Sequence, residues 1–327
     1  MSPSNFITSL AGLLPSHEPI KLRTEADCYG ISWMIASTLR LPYTPRSIPN
    51  WLHGWCFANL EYIEQFGFTN DFLYLVATKE EELFFKRNYK SALAVGAPYT
   101  YVQKFDSCKI RREPNSLLVM PPHGLPFSHE NWSEESYVEK ISNLRGDFDH
   151  IVACVHSSCI DKNKWVEQLD NYGIPWIVGA DMHDRNALVR MHRLFSSFEY
   201  MTTNSIGSHV AYAAYSGCKV SIYGDFIEWG EEDIKDDDLY VEYPHVMHHN
   251  LCQSSRDSVF DKFPFLFISP KAASEKREWA NDQLGGANHK SYIRLAVLLG
   301  WLPPQQLYFW SLKIFLKIKR KLSSYLR

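Results

Sequence analysis

The sequence lacks the patterns that mark several common classes of protein. Its seven cysteines never form a CxxC pair, and their odd number and apolar surroundings predict reduced core thiols in a cytosolic protein. No apolar run is long enough to cross a membrane. Residues 1–16 have no basic stretch ahead of an apolar one, so we expect no signal peptide. Internal repeats and low-complexity tracts are absent as well.

A strong charge of one sign is also absent. The formal net charge is −3 over 327 residues, which argues against nucleic acid as a partner. The content of 45% hydrophobic and 22% charged residues is typical of a globular protein with a sizeable core. This length suits two α/β domains of ordinary size, or one large domain.

Strand-like and helix-like segments alternate along the chain, which predicts an α/β fold with parallel sheets. In the first part we expect strands at 50–55, 72–77 and 92–95, and helices at 31–39 and 79–87. In the second part we expect strands at 116–120, 151–155, 176–179, 200–203 and 220–223, with helices between them at 133 onward, 162–169, 184–195 and 208–215. A charged stretch at 104–115 is interpreted as a linker. We therefore predict an N-terminal α/β domain at 1–112, a Rossmann-like domain at 113–260 and a helical C-terminal extension at 261–327.

Ligands of parallel sheets bind beyond the carboxyl ends of the strands. Among the loops that we expect at those ends, the loop at 204–209 is the most informative. Asn204 opens this loop and His209 closes it, with two serines and a glycine between them. Ser205 and Ser208 offer hydroxyls, Gly207 lets the backbone approach closely, and the following helix presents free N–H groups. These features predict a phosphate-binding loop. A serine that simply caps the helix explains the local sequence equally well, and neither a Walker A nor a GxGxxG motif is present.

Other loops add candidate residues at the same edge of the sheet. His123 and Gly124 follow the first strand of the second domain, where a histidine can balance the charge of a leaving group. Ser157 and Asp181 follow the next two strands. A Ser-His nucleophile is not favoured, because no GxSxG elbow surrounds the serine. Each candidate has a plainer alternative as a capping or surface side chain, and Asp184 is expected to cap the next helix.

The first domain offers Glu25, Asp27 and His53 as candidates. A carboxylate just before the Gly30 turn can act as a general base on a substrate hydroxyl if it faces the second domain. The alternative for each carboxylate is a solvated or capping side chain.

Two patterns resemble metal ligands, but we expect neither to bind a metal. The acidic triplet at 236–238 lies in a solvated acidic run with no strand directly before it. His245, His248 and His249 lack a cysteine or acidic partner at a suitable spacing. We also expect no cofactor.

The C-terminal stretch at 305–327 contains basic residues but no acidic ones, with aromatic and aliphatic side chains between them. This pattern favours an amphipathic helix in a membrane interface, where each basic residue near an anionic leaflet contributes about 1 kcal/mol. Packing on the protein's own body is the alternative. We expect a cytoplasmic protein held peripherally at the inner face of the cytoplasmic membrane.

Several stretches of the chain resemble bacterial GT-B glycosyltransferases, which assemble capsules and lipopolysaccharide side chains. The segments at 203–209, 212–214 and 217–220 are similar to their donor-binding half, and those at 76–80 and 95–98 are similar to the first half. The resemblance covers most of residues 20–225. It implies two Rossmann-like domains that face a cleft, and a transferase that needs no metal.

Within that family the sequence is most similar in plan to transferases that use CMP-activated acidic sugars, such as sialic acid or Kdo. Those enzymes carry a carboxylate motif ending in glycine, a His-Pro motif and a serine-bearing phosphate loop. The carboxylates at 25–27 would represent the first motif, His123 the second, and Ser205 with Ser208 the third. His123 is followed by Gly124 rather than proline and the acidic motif is spaced differently, which leaves the donor open.

The resemblance implies a role for each candidate. Asp27 would deprotonate the acceptor, and His123 would stabilise the departing nucleotide. Glu25 and His53 would lie on the acceptor side. The donor would contact the second domain through Asn204, Ser205, Gly207, Ser208, His209, Gly124, Ser157 and Asp181.

We thus expect transfer of a sugar from a nucleotide-activated donor, with a CMP-linked acidic sugar favoured, to a glycan or lipid-linked glycan during surface polysaccharide synthesis. Two alternatives remain open. One is a nucleotide-sugar 2-epimerase of the same fold, and the other is a non-catalytic subunit of polysaccharide assembly.

Overall fold

The computed structural model describes residues 3–66, 73–122, 132–308 and 311. These residues form a mixed α/β structure with two parallel sheets. The strands are β1 (Asn50–Trp51), β2 (Tyr74–Val76), β3 (Ala92–Ala94), β4 (Glu113–Val119), β5 (His150–Val155), β6 (Trp176–Val178), β7 (Phe198–Thr203) and β8 (Lys219–Ile222). The helices are α1 (Pro3–Leu13), α2 (Ile31–Thr38), α3 (Lys79–Arg87), α4 (Val102–Phe105), α5 (Glu134–Ser142), α6 (Ser157–Asp161), α7 (Val166–Asn171), α8 (Ala187–Ser197), α9 (Ser208–Tyr215), α10 (Glu231–Ile234), α11 (Asp238–Glu242), α12 (Pro244–Ser254), α13 (Arg256–Lys262), α14 (Arg277–Gln283) and α15 (Tyr292–Leu298).

The second sheet contains a topological switch point. Its strand order is β6-β5-β4-β7-β8, and all neighbours are parallel. The chain moves outward from β4 to β6 on one side, then crosses back to β7 on the other side. Leu118 pairs with Val152 of β5 and with Met201 of β7, and all three side chains are buried. The loops after β4 and β7 therefore diverge from neighbouring strand ends, which is where ligands of such sheets bind.

The first sheet is smaller and has the order β1-β2-β3, again parallel. Leu75 of β2 lies opposite Trp51 on one side and Leu93 on the other. Helix α3 begins with a complete capping box, in which Thr78 and Glu81 each accept a backbone N–H from the other. The observed bounds of α3 match the predicted helix at 79–87.

Several predicted elements differ from the observed ones. The strand expected at 50–55 ends at Trp51. The first strand of the second sheet begins at Glu113, inside the predicted linker. The helix predicted at 162–169 is replaced by α6 and α7, because Asn163 and Trp165 between them adopt positive φ angles of 54° and 67°. The acidic run around the triplet at 236–238 contains all of the short helix α10 and the first residue of α11.

The two sheets share one hydrophobic cluster, and the C-terminal helices join it. Trp51 and Leu75 of the first sheet belong to the same buried cluster as Leu118 and Met201 of the second. The segment containing α14 and α15 returns to the first sheet. The Ala97 N–H donates to the carbonyl oxygen of Leu284 at 2.8 Å, and that of Ile48 to Leu299 at 3.0 Å. These helices therefore pack on the loops of the first sheet.

All seven cysteines are free thiols. In the part of the chain that the structure describes, no helix combines the length and apolar character needed to span a membrane. Most of the basic segment predicted at 305–327 lies outside the described residues.

Candidate active site

The switch point opens into a cavity of about 430 Å³. The Met120 N–H donates to the Thr202 carbonyl oxygen at 2.8 Å, so the two central strands stay paired up to their carboxyl ends. Beyond that bond, the cavity wall is formed by Met120, Pro121 and Pro122 after β4, by residues 205–209 after β7, and by His156, Gly179 and Ala180 from the neighbouring strands. The structure thus brings most of the predicted phosphate loop to one cavity.

The loop before α9 is not an ordinary capped helix start. Ser208 is the first residue of α9, and its Oγ accepts the N–H of Trp55, 2.8 Å away in the first half of the chain. No side chain caps the helix at Gly207. Gly207 is extended, and its role is spatial, because a Cβ there would lie 3.0 Å from the ring of His209. Since α9 points its N-terminus at the cavity, the arrangement suits an anion.

Asn204 lies behind this loop rather than in the cavity. Its side-chain amide nitrogen donates to the backbone carbonyl oxygen of Asp225 at 3.1 Å. Its backbone carbonyl oxygen accepts the Ile227 N–H at 2.8 Å. Asn204 lines a separate cavity of about 290 Å³. It therefore holds the loop to the segment that follows β8.

Ser157 and Asp181 lie one residue away from the cavity wall. Ser157 Oγ donates to the Asp181 carboxylate at 3.1 Å, and the His183 N–H donates to it at 2.8 Å. Burial raises the pKa of Asp181, but these hydrogen bonds outweigh burial and hold it below its ordinary value. Their neighbours His156 and Ala180, and not these two residues, are among the lining residues.

A second, larger cavity of about 600 Å³ adjoins the first. Both cavities are lined by His53, Gly54, Ser205, Ile206 and Trp229, so they meet where the loop after β1 faces the loop after β7. Aromatic and amide side chains form much of the larger wall, among them Trp55, Phe57, Phe66, Tyr74, Tyr240, Asn50, Gln65 and Asn250.

Glu25 and His53 lie together on the wall of the larger cavity. His53 Nδ1 is 3.6 Å from Glu25 Oε2, and Cys28 Sγ is 3.8 Å from the same oxygen. Burial lowers the pKa of His53, and the nearby Glu25 carboxylate only partly opposes this. The hydroxyl of Tyr212 donates to the His53 carbonyl oxygen, which fixes the loop against α9.

Asp27 does not face either cavity. It is buried, and its carboxylate accepts hydrogen bonds from the Arg23 backbone N–H at 3.0 Å and from the Arg23 guanidinium at 3.1 and 3.3 Å. Its neighbour Glu25 is the carboxylate of this turn that lines the larger cavity. His123 and Gly124 lie outside the described residues. Pro122, which precedes them in the sequence, lines the smaller cavity.

Asp184 does not cap α8, contrary to the sequence prediction. Its Oδ1 accepts the N–H groups of Glu18 at 2.9 Å and Asn186 at 3.0 Å, and α8 begins after Asn186. It therefore ties the N-terminal segment to the loop after β6.

The three histidines on α12 turn to different neighbours. His248 pairs with Glu231 at 2.9 Å and His249 with Glu61 at 3.1 Å, whereas the His245 ring packs on Tyr62.

Sequence reasoning missed the aromatic wall and the thiol of Cys28. Trp229 lies in an irregular segment after β8, where no periodic pattern locates a side chain. The wall also draws on Trp55 and Tyr240, which lie far apart in the sequence. Cys28 carried one usable signal, its position three residues after Glu25 in a turn.

No family model matches the sequence, and no curated protein is significantly similar to it. Among solved structures, the pneumococcal O-GlcNAc transferase GtfA in complex with UDP and GlcNAc is similar at 14% identity and a TM-score of 0.32. A structure of the GtfA/B complex is similar at 12% identity and a TM-score of 0.30. Each likeness covers 74% of this chain, but this chain spans only 49% and 53% of those chains. Similarity this low identifies neither a family nor an activity.

Proposed function

We propose that this protein is a glycosyltransferase that moves a sugar from a nucleotide-activated donor to a glycan or lipid-linked glycan. One observation carries the proposal. A cavity at the switch point of the second sheet, with a helix N-terminus on its wall, opens beside a larger aromatic and acidic cavity. The two meet at residues 53–54 and 205–206, so a donor in one and an acceptor in the other would place their reacting atoms side by side.

The smaller cavity is proposed to hold the donor. The first turn of α9 and the hydroxyls of Ser205 and Ser208 would bind the donor phosphate, with His156 and His209 nearby on the wall. A helix N-terminus carries roughly half a positive charge, which favours the negative charge that develops on the leaving nucleotide. His123, directly after Pro122, remains our proposed second partner of that leaving group.

The larger cavity is proposed to hold the acceptor. Its aromatic side chains offer flat apolar faces for the C–H surfaces of a sugar ring, and its amides offer both donors and acceptors for hydroxyl groups. We favour a CMP-linked acidic sugar as donor, a role in bacterial surface polysaccharide synthesis, and peripheral attachment to the cytoplasmic membrane, all on the resemblance of the sequence alone.

We propose Glu25, rather than Asp27, as the general base. Both oxygens of Asp27 accept hydrogen bonds from Arg23, whereas Glu25 lies on the cavity wall. Glu25 would remove the proton of the acceptor hydroxyl as its oxygen forms a bond to the anomeric carbon. The bond from that carbon to the phosphate oxygen would break, and its electron pair would stay on the phosphate beside α9. These steps need no metal ion.

A panel of nucleotides and nucleotide sugars tests the proposal. Thermal shifts with CMP, UDP, GDP and dTDP would identify the nucleotide of the donor. Nucleotide release measured with and without glycan acceptors would identify the reaction. We expect release that depends on acceptor. Isomerisation of the donor sugar without acceptor would instead indicate an epimerase, and tight binding without turnover would indicate an assembly subunit.

The matched variants are Glu25→Gln and Ser205→Ala. We expect Glu25→Gln to lower turnover by about 100-fold or more while donor affinity stays unchanged, as loss of a general base does. Ser205→Ala should raise the dissociation constant of the donor. Full turnover by Glu25→Gln would remove Glu25 from the mechanism.

A further inference from the structure

We propose that Glu25, Cys28 and His53 form a binding site for a thiophilic divalent cation of the zinc class, on the wall of the larger cavity. Among the described residues these three bring a carboxylate oxygen, a thiol sulfur and an imidazole nitrogen within 4.8 Å of one another. Binding of the cation does not depend on the proposed transferase activity. Only its expected effect on catalysis does.

The distances fit a single tetrahedral ion. Zinc binds oxygen and nitrogen at about 2.0–2.2 Å and sulfur at about 2.3 Å, so neighbouring ligand atoms lie roughly 3.3–3.8 Å apart. His53 Nδ1 lies 3.6 Å from Glu25 Oε2, and Cys28 Sγ lies 3.8 Å from that oxygen. A small rotation of the side chains would bring the third distance into the same range.

The chemistry of the set selects the class of ion. Thiolate and imidazole ligands favour zinc and similar metals over magnesium and calcium, which prefer oxygen. Three protein ligands with the fourth side open to a cavity form the arrangement in which zinc keeps an exchangeable position. Glu25 and His53 both line the larger cavity, so that position would face it.

His53 supplies an independent observation. Its Nδ1 is buried and has no hydrogen-bond partner among the described residues. Buried polar atoms are seldom left unsatisfied in native proteins, and each such atom calls for a ligand or another explanation. A cation held by this nitrogen would satisfy it.

The surroundings of Cys28 agree with a cation. The Cys28 side chain is buried, and the carboxylates of Glu25 and Asp27 lie near its sulfur. A divalent cation would offset that excess of negative charge and displace the thiol proton, which would pass to solvent. Metal binding here would therefore release one proton per ion.

Both segments that carry the ligands are fixed by contacts to the second half of the chain, one to the loop after β6 and one to α9. The Tyr29 N–H, next to Cys28, donates to the Met182 carbonyl oxygen at 2.9 Å. The carbonyl of His53 accepts the hydroxyl of Tyr212. Little rearrangement is needed to bind an ion when the ligand segments are held in this way.

Occupancy by the ion would inhibit the transferase. The ion would take the carboxylate of Glu25, which we propose as the general base, and this consequence alone rests on the proposed function. Binding of the ion does not, and it is measured below without donor or acceptor.

The experiment is titration of the metal-free, full-length protein with Co²⁺ and Zn²⁺. We expect one equivalent of Co²⁺ to produce a thiolate-to-cobalt charge-transfer band in the near ultraviolet. Zn²⁺ should displace it, with affinity measured against a chromophoric chelator. Cys28→Ser should abolish the band and weaken zinc binding at least about 100-fold. His53→Gln should weaken it to a similar extent.

Two other cysteines provide matched controls. Cys56 lies on the same cavity wall but outside the cluster, and Cys252 is exposed. Cys56→Ser and Cys252→Ser should each retain the band and the affinity. A band that persists in Cys28→Ser, or zinc affinity equal in wild type and His53→Gln, would overturn the proposal. The His53 side chain is 33% exposed although its Nδ1 atom is buried, so His53→Gln disturbs the fold less than Cys28→Ser and decides the question if Cys28→Ser fails to fold.

Discussion

Tyr99 and Tyr137 are both buried phenols, yet their hydroxyls have different surroundings. Tyr99 Oη lies 2.7 Å from Ser216 Oγ, and its ring stacks on Tyr212 with centroids 4.2 Å apart. Tyr137 Oη has no hydrogen-bond partner among the described residues. Tyr137 lines the cavity of about 290 Å³ behind the phosphate loop, as does Asn204, whose Oδ1 is also without a partner there. The two tyrosines therefore offer a matched test of what a buried hydroxyl contributes.

We predict opposite effects on the free energy of unfolding. Tyr99→Phe should destabilise by about 1–2 kcal/mol, since it breaks a buried hydrogen bond and leaves Ser216 unpaired. Tyr137→Phe should be neutral or stabilise by up to about 1–2 kcal/mol, since it removes an unsatisfied polar group. Urea unfolding of both variants and the wild type measures this. An equal loss of unfolding free energy in both variants would mean that the Tyr137 hydroxyl has a hydrogen-bond partner.

Individual site residues were only partly predictable. Ser205, Ser208, Glu25 and His53 come together because strand ends and loops of parallel sheets converge, which the sequence pattern indicates. The resemblance implies Asp27 as the base, but a sequence does not reveal which of two carboxylates in a tight turn points outward. The Arg23 guanidinium decides it by pairing with Asp27.

Elements were predicted better than their ends. Helices α2 and α3 and the strands of the second sheet have strong apolar patterns, and their observed positions agree within a few residues. The predicted helix at 162–169 failed because positive φ angles at Asn163 and Trp165 have no sequence signal as clear as glycine. The strand predicted at 50–55 ends at Trp51, and beyond it the Trp55 N–H donates to Ser208, 153 residues away in the sequence, instead of to a neighbouring strand.

The turn at Glu25–Gly30 depends on one glycine. Gly30 has a φ of +80°, and a Cβ there would lie 1.9 Å from the Arg185 carbonyl oxygen. We predict that Gly30→Ala destabilises by more than about 2 kcal/mol, because both the backbone conformation and the contact become unfavourable.

Gly12 in α1 is the matched control for that variant. A Cβ at Gly12 meets no atom within 4 Å. Gly12→Ala should therefore be neutral or stabilise by about 0.5–1 kcal/mol, as expected for a helix. Thermal unfolding followed by circular dichroism would compare the two variants. Similar melting temperatures for both would contradict the requirement for glycine at position 30.

At the scale of the whole molecule, His289 links the C-terminal helices to the first sheet. Its Nε2 lies 2.5 Å from Thr100 Oγ1, and its ring lies over Tyr101 with centroids 4.3 Å apart. Burial, together with the charges of Lys104 and Lys290, lowers its pKa from 6.5 to about 4. The neutral ring is therefore the form that the folded chain prefers.

This linkage predicts acid sensitivity. The unfolded chain binds a proton at His289 near pH 6.5, and the folded chain only near pH 4. The contribution of the neutral His289 ring to the free energy of unfolding is therefore complete above about pH 6.5 and is lost as the pH falls to about 4. Allowing for partial exposure of the ring, the loss should be about 1–2 kcal/mol. Urea unfolding of wild type and His289→Gln across this range measures it. If the free energy of unfolding changed with pH in parallel for both proteins, His289 would not be the source of the acid sensitivity.

The return of the C-terminal helices to the first sheet could not be predicted from the sequence. It depends on backbone contacts such as Ala97 to Leu284, between segments that carry no local signal for each other. The shared cluster that joins both sheets has the same origin, since burial on one face of an element does not reveal which element covers it.

Cys252 makes the native chain convenient for fluorescence spectroscopy. It is the exposed cysteine, whereas the other six are buried or half-buried. Burial also raises the pKa of Cys28 and Cys56 to about 12, which leaves few thiolates there at neutral pH. A maleimide dye should therefore attach to Cys252 first, without mutagenesis. Its neighbours Asn250 and Leu251 line the larger cavity, so the emission of that dye would report on whatever enters it.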